Sequence, residues 1–412
     1  MSKYLRVDEI VESISKTHKF DIDIMKFLNT SDVYSVRIIN INYLPLSQLK
    51  GQAKKTIKKH DILFSEIRPQ NKKFAYVDFD ETYDFVVSTK LMVLRKINPL
   101  VDNKYFYYFL TNDHMLSVLQ TRAENRICSF PQITFDLLSD YKVRVPDINE
   151  QERISSLDKK IEINNQINAE LESMAKTLYD YWFVQFDFPD QNGKPYKSSG
   201  GKMFYNLVLK REIPEGWKCD YLGSLTTLIR RGISHKYVEQ NGISVLNQNL
   251  FEINVFYLKK LYDMPLIYQV MTKDYYNIMI LLLIRKEWGT LGRVTFIKRL
   301  IEQRTTVDSH VTIVRANTNK ILSEYLSWTM LHYQPIIELA SNGSTGQVEL
   351  NKLFLEELNV VIPNLFLQQK FREFVNPVVN QIAIKEKESE ELEKLRDFLL
   401  PMLMNGQVTI KE

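Results

Sequence analysis

The side chains of this chain that could make or break a covalent bond are scattered, and no spacing among them assembles a reaction centre. The six histidines are His18, His60, His114, His235, His310 and His332. None sits four residues from another around a glutamate, the spacing that puts two imidazoles and a base on one helix face for zinc-assisted hydrolysis. Cys128 and Cys219 lie far apart, outside any CxxC pattern, so neither a metal site nor a disulfide framework is expected. Methyl transfer to a DNA base would need a glycine-rich loop for the methyl donor and a base-holding motif of the Asn-Pro-Pro-Tyr kind. The two Asn-Pro pairs, Asn98-Pro99 and Asn376-Pro377, run on into Leu100 and Val378. Thirteen glycines in 412 residues are few for a nucleotide binder, and the phosphate-cradling GxxxxGK[ST] pattern is absent. Gly200-Gly201-Lys202-Met203 comes near it but has the wrong residue after lysine. Asp190 with Lys194 echoes half of a nuclease carboxylate–lysine set without the second acid. A motif of that kind needs its structural context.

What remains is basic. Lys54, Lys55, Lys58 and Lys59 precede a strand-like run at Asp61, and Arg68, Lys72 and Lys73 follow it, with Phe74 and Tyr76 nearby. A second set comprises Arg230, Arg231 and Lys236 around Gly232, then Arg285, Lys286 and Arg293 around Gly289 and Gly292, then Lys298 and Arg299. Lysine and arginine neutralise phosphates, and arginine can also read base edges. Singly, each is better read as a solvated surface charge. Collectively, basic loops after equivalent strands in two places point to a nucleic-acid surface.

Those two places are copies of one plan. Leu138, Tyr141, Val143, Val145, Pro146 and Gln151 fall, at one constant offset, on Leu355, Leu358, Val360, Ile362, Pro363 and Gln368. Upstream, Val87–Arg95 resembles Val307–Arg315, and each is followed by a helical pattern. An internal repeat reorganises the whole reading. It predicts two mixed α/β units, 1–149 and 213–366, each rich in short Val/Ile/Phe/Thr runs bounded by turn residues. Residues 187–212 are polar and rich in Gly, Pro and Ser, the composition of a linker.

Each unit leads into a long helical pattern, 150–186 and 367–412. The first has a heptad seam at Ile154, Leu157, Ile161, Asn164, Asn168, Leu171, Ala175, Leu178 and Trp182. The second reads Phe371, Phe374, Val378, Gln381, Lys385, Glu388, Leu392, Leu395, Leu399 and Met402. Both seams are polar in the middle, and polar seam residues fix register at a cost in stability. Thirty helical residues span roughly 45 Å, more than the roughly 34 Å of one duplex turn. Pro377 should kink the second helix or restart it with Asn376 as its cap.

Composition bounds the rest. Lys plus Arg is 54 against 50 Asp plus Glu, a net charge of +4, and 44% of residues are hydrophobic. That mild basic bias permits nucleic-acid binding without requiring it, and the apolar content supports real cores. Met1–Lys19 lacks the apolar stretch of a signal peptide. The longest apolar run, Ile278–Ile284, is too short to cross a bilayer and reads as a buried strand. A cytoplasmic protein without membrane partners is expected.

Three stretches now carry a family resemblance: Ile148–Phe186 followed by FPDQNGKPYKSSGGKM and LKREIPEGW, then LEKLRDFLLPMLMNGQV at 392–408, with Gly343-Ser-Thr-Gly346 before the second exit. Together they resemble the specificity subunits of Type I restriction–modification enzymes over nearly the whole chain. That resemblance implies an α+β (mixed α/β) protein with two tandem target-recognition domains, separated by two long helices pairing as an antiparallel coiled coil in a pseudo-two-fold repeat. Each domain would read one half of a bipartite asymmetric site in double-stranded DNA. The helices would set the spacer and dock two methylation subunits, and restriction/translocase subunits would join them. S-adenosylmethionine, ATP and magnesium would belong to those partners, leaving this chain without cofactor, metal or catalytic residue. Two departures stand out. Cys128-Ser-Phe-Pro131 replaces the glycine motif in the first unit, and the loop after Arg68 lacks the Gly-Thr-x-Gly of Gly289–Gly292. The other classes to be weighed are a scaffold or oligomerisation protein that has lost DNA binding, and a DNA-modifying enzyme.

Overall fold

A computed structural model describes residues 3–15, 22–34, 37–49, 53–124, 132–234, 237–238, 243–246, 266–267, 281–284, 292–296, 305–341 and 350–408. The chain divides into two units, Met1–Glu162 with Glu391–Glu412, and Ile163–Glu390. Its described elements run, in order, β1 (Lys3–Arg6), α1 (Val7–Ile10), β2 (Val11–Ser13), β3 (Ile24–Leu28), β4 (Val33–Tyr34), β5 (Arg37–Ile38), β6 (Asn42–Pro45), β7 (Ala53–Thr56), β8 (Ile62–Ser65), β9 (Phe74–Tyr76), β10 (Phe85–Ser88), β11 (Leu91–Lys96), α2 (Asn103–Thr111), α3 (Asp113–Glu124), α4 (Phe135–Ser139), β12 (Lys142–Val145) and α5 (Ile148–Tyr179). There follow β13 (Met203–Asn206), β14 (Arg211–Pro214), β15 (Lys218–Tyr221), α6 (Leu222–Leu225), β16 (Thr226–Arg231), β17 (Tyr237–Val238), β18 (Ile243–Leu246), β19 (Leu266–Ile267), β20 (Leu281–Ile284), β21 (Val294–Phe296), β22 (Thr305–Val307), β23 (Val311–Ala316), α7 (Ser323–His332), α8 (Gln334–Ser341), α9 (Lys352–Glu356), β24 (Asn359–Ile362) and α10 (Leu365–Met404).

In the first unit, β8 and β10 are unbroken apolar runs ending in serine, and every residue of both is buried. Strands covered on both faces read that way. Two four-stranded sheets result, ordered β6-β3-β10-β7 and β2-β11-β8-β9. Side chains alternate along β8. Leu63 joins Val87, Leu91 and Val93 in one core, while Ile62 and Phe64 face Tyr105, Phe106 and Leu110 of α2 in another. The period of two follows from the pleat. β1 closes the unit by pairing antiparallel with β12.

The second unit repeats part of this order. Its sheet β16-β23-β20-β21 corresponds strand by strand to β2-β11-β8-β9, and β15 pairs with β24 as β1 does with β12. Among the described strands each unit has one parallel pair, β3 with β10 and β18 with β22.

One buried lock is also shared. Gln151, at the start of α5, accepts from the Asp102 amide at 2.8 Å and donates to the carbonyls of Leu100 and Pro146 at 3.0 and 2.9 Å. Gln368, at the start of α10, accepts from the Leu322 amide and donates to the Pro363 carbonyl, both at 2.8 Å. Tyr105 donates to the carbonyl of Arg144 and Tyr325 to that of Val361. Both glutamines are fully buried, so their hydrogen bonds stand between backbone polar groups and desolvation without partners.

The long helices pair antiparallel within each unit. In the first, Ile154 of α5 packs with Leu400 and Leu403 of α10, and Arg396 bonds Asp158 at 2.7 Å. In the second, Asn164 donates to Glu388 and Ser389, while Trp182 and Phe183 meet Phe371. The α5 seam lies where its heptads place it: Ile154, Asn164, Asn168, Ala175 and Trp182 are buried, and Leu157, Ile161, Leu171 and Leu178 are partly covered.

The α10 seam needs a correction. Its buried stripe runs Phe371, Val375, Val379, Ile382, Ser389, Leu400 and Leu403, so after Phe371 each of these buried positions lies one residue beyond its expected counterpart. Phe374 and Leu395 are 60% and 45% exposed, although the Phe374 ring still meets Trp182 edge-on at 5.8 Å. Val378, Leu392 and Leu399 are partly covered. Nor does Pro377 end the helix, which is continuous for 40 residues. Pro377 and Glu373, whose carbonyl it leaves without an amide, are both exposed, so water can serve that carbonyl.

Residues 187–212, expected as a linker, are folded. After a π-turn at Asp180–Val184, the Asp187 carboxylate accepts from the amide and hydroxyl of Ser198. Phe188 lies between Tyr196 and Trp217 at 4.7 and 5.2 Å. A Cβ on Gly201 would come within 2.5 Å of the Tyr196 ring. β13 and β14 then form a hairpin. Gly, Ser and Pro serve tight turns here.

Candidate nucleic-acid interface

The first unit's basic residues separate to the two ends of β8. Before it, the buried Asp61 carboxylate takes a bidentate bond from Arg95, 2.9 and 2.7 Å, and also accepts the Lys58 amide at 2.7 Å. That anchor fixes the turn presenting Lys58 and Lys59. Lys58 is exposed, and Lys59 pairs with Asp80 at 2.7 Å. Within this turn His60 contacts the Tyr76 hydroxyl at 2.8 Å. Partial burial, then the charges of Lys59 and Lys96, hold its pKa below the ordinary imidazole value.

After β8 the chain makes a short turn through Pro69–Asn71, flanked by Arg68 and Lys72 in left-handed backbone conformations. Lys72 pairs with Asp113 at 2.7 Å, and the Lys73 ammonium lies 5.1 Å from the Tyr34 ring centre. Arg68 is exposed. Behind this loop Lys55 points inward, which corrects its assignment as a surface cation. Its ammonium donates to the carbonyls of Thr89 and Leu91 at 3.2 and 2.8 Å, and burial lowers its pKa. A lysine satisfied by backbone carbonyls is a structural strut. The Lys54 side chain lies outside the described residues.

In the second unit Arg230 and Arg231 end β16 and are exposed. Arg231 stands opposite Thr312, which stands opposite Leu283 of β20, so the end of β16 and the end of β20 share one edge of the sheet. Gly292 has φ +82°, and Arg293 beside it is half-buried. Lys236, Arg285, Lys286, Lys298 and Arg299 lie outside the described residues.

Two motifs singled out in the sequence acquire plain roles. The Asp190 carboxylate accepts the amides of Asn192 and Lys194, both at 2.8 Å, capping its own turn. The amides of Ser199, Gly200 and Gly201 all bond to carbonyls of the same loop, so the glycine pair presents no amides to a phosphate. Among the described residues no cluster of His, Cys, Asp and Glu could hold a metal ion, and no helix is long and apolar enough to cross a membrane.

Residue-by-residue reading passed over Gln70 and Asn71, which are exposed beside Arg68. Their adjacency to that arginine was the available signal. It also gave no role to the pair Gln151 and Gln368, although their coincidence in the repeat marked them.

Comparison with known proteins agrees with this architecture. The family model described as the Type I restriction modification DNA specificity domain matches residues 3–173 and 240–394. The Type I restriction enzyme HindI specificity subunit of Haemophilus influenzae is 26% identical, across 98% of this chain and 99% of its own. The Type I restriction enzyme MjaIX specificity subunit of Methanocaldococcus jannaschii is 25% identical over 76% of this chain and 70% of its own. The crystal structure of a Type-I restriction-modification system S subunit from M. genitalium aligns over 100% of this chain and 97% of its own. At a TM-score of 0.51 and 15% identity, it shares the fold.

Proposed function

Because this chain belongs to the Type I restriction–modification specificity subunits, DNA-recognition subunits without catalytic residues of their own, we propose that it reads a bipartite DNA site, one globular unit per half. The target-recognition domains are 1–149 and 213–366. The observation that carries this reading is the duplicated architecture, with one matching four-stranded sheet order and the Gln151/Gln368 lock at the two helix starts. A duplicated reader with non-identical loops suits a split asymmetric site. Basic side chains at the ends of β8 and β16 supply the phosphate-neutralising charge.

The antiparallel helices act as the spacer ruler and as docking surface for two methylation subunits, which bring S-adenosylmethionine. Restriction/translocase subunits add ATP- and magnesium-dependent cutting. The assembly works in the cytoplasm.

The test is exchange of residues 213–366 for those of another specificity subunit, followed by a genome-wide map of methylated adenine. One half of the motif should change while the other half and the spacer stay. A change in both halves, or none, overturns the modular assignment. Adding one heptad to each helix should lengthen the spacer and leave both halves alone, and an unchanged spacer would sink the ruler.

A further inference from the structure

Seven of the first unit's cations were candidates for DNA contact, and the structure sorts them. Lys55 is tied to backbone carbonyls, Lys59 to Asp80, Lys72 to Asp113 and Lys73 to the Tyr34 ring. Among the described side chains of that set, Lys58 and Arg68 are left exposed and without a bond. They stand at opposite ends of β8. The turn after Lys58 has one left-handed residue, His60 at φ 74°, whereas the turn after β8 has two, Arg68 at φ 46° and Lys72 at φ 52°. Left-handed backbone is unfavourable for residues with a Cβ. Two such residues bracketing one three-residue turn persist only if their surroundings impose them, and imposed strain concentrates where a protein binds or reacts.

The surroundings do impose it. Pro69 is buried. The Gln70 amide donates to Gln120 of α3 at 3.4 Å, and Lys72 pairs with Asp113 of the same helix. Ile67 bridges to Gln132, whose side chain donates to Glu66 at 2.8 Å. The loop is clamped from both sides, and what it turns outward is Arg68, Gln70 and Asn71. These three residue types make paired hydrogen bonds to base edges: arginine to guanine O6 and N7, glutamine and asparagine to adenine N6 and N7. Phosphate neutralisation would need none of this specificity of type or rigidity.

Resting on the DNA-recognition reading, we propose that the Arg68–Asn71 turn is the base-reading element of the first unit. Arg68 takes the Hoogsteen edge of a guanine, and Gln70 and Asn71 take neighbouring base edges. The rigid backbone places the side chains before DNA arrives, so little order has to be gained on binding.

The experiment uses the full chain co-expressed with the methylation subunit of its own system. Motif duplexes and their single-base variants are titrated over a range of salt. The decisive variant is Arg68→Lys, which keeps the charge and loses the fork. It should lower discrimination at one G·C pair of the first half-site about 10-fold or more, with the salt slope unchanged and the second half-site intact. Arg68→Ala should lose the same discrimination and leave the salt slope close to that of the wild type, because the slope counts phosphates neutralised and not base contacts. Gln70→Ala and Asn71→Ala should relax adjacent positions only. If Arg68→Lys discriminates as the wild type does, Arg68 is a phosphate contact and the proposal fails. If the wild-type complex methylates no split motif at all, the two-reader assignment fails first and takes this one with it.

Discussion

The two units share what holds a reader together and differ where a reader would touch DNA. Both bury a glutamine at the start of a long helix, both tie the strand before that helix to a tyrosine hydroxyl, and both order their helix-covered sheet alike. They part at the other sheet and at the loop ends. In the first unit the added edge strand β7 lies beside β10. In the second, β17 lies at the far edge, beside β19. Two residues before β9 stands Lys72, and two residues before β21 stands Gly292, both left-handed. The left-handed position just before that strand is therefore common to both units, while the residue holding it is not. A frame kept constant under variable loops is how one fold can carry many specificities.

The comparison breaks most visibly at the ion pair of Asp61 and Arg95. The Asp61 side chain is 2% exposed, so Arg95→Ala leaves a carboxylate without its counter-charge out of water. A loss of about 3 kcal/mol is expected, read as a lowered urea midpoint for unfolding. A loss below about 1 kcal/mol would mean that the pair is not buried in solution.

Next come the shared glutamines. Gln151→Ala removes three hydrogen bonds and Gln368→Ala two, in each case stranding buried backbone groups. About 2 kcal/mol is expected for each, with Gln151 the larger. If one substitution proves silent, the lock is a resemblance in geometry and not a shared energetic device.

How much of this was legible beforehand depends on what each residue competes with. The α5 seam could be read because the residues flanking Ile154, Leu157 and Ile161 are nearly all polar. In α10 two heptad spacings start from Phe371, one through Phe374 and one through Val375. The larger side chain points to the first, yet packing takes the second, and Ser389 then sits buried in the stripe. Hydrophobicity alone cannot order those two. Lys55 misled for another reason. A run of lysines shows charge, but β7 turns alternate residues to opposite faces, and the free carbonyls of Thr89 and Leu91 lie far off in sequence. Residues 187–212 have the composition of a flexible segment, and their order depends on Phe188, Tyr196 and Trp217 meeting, a contact that no local window contains. The repeat was legible because it compares the chain with itself.

The left-handed loop position sharpens the comparison with smaller effects of opposite sign. Gly292→Ala forces a Cβ to 2.9 Å from the Glu338 backbone on a conformation alanine resists, so about 1–2 kcal/mol should be lost. Lys72→Gly relieves the same conformation and gives up an exposed pair with Asp113 that contributes about 0–1 kcal/mol. Stability should hold or rise slightly. A clear loss from Lys72→Gly would show that the Asp113 pair, and not the turn, holds the loop.

The smallest effect concerns protons. His60 in the first unit and His332 in the second both have pKa values below the ordinary imidazole value, in each case first through partial burial. Nearby lysines push His60 further down. At His332, Asp180 opposes the shift while Arg211 and Lys176 add to it. The folded state therefore binds fewer protons than the unfolded chain as the imidazoles titrate. Stability from this source is complete above the unfolded imidazole pKa and falls as pH drops, from about pH 7 to about pH 5. The carboxylates of Asp187, Asp220 and Asp308, whose pKa values are lowered mainly by hydrogen bonds, act in the same direction at lower pH, below about pH 4. Urea midpoints between pH 7 and pH 5 should decline slightly in the wild type and less so in His60→Gln and in His332→Gln. If the wild-type midpoint rises on acidification, at least one imidazole is better solvated or better paired than its place beside Tyr76 or Asp180 indicates. The variant that removes the rise identifies the unit in which the comparison fails.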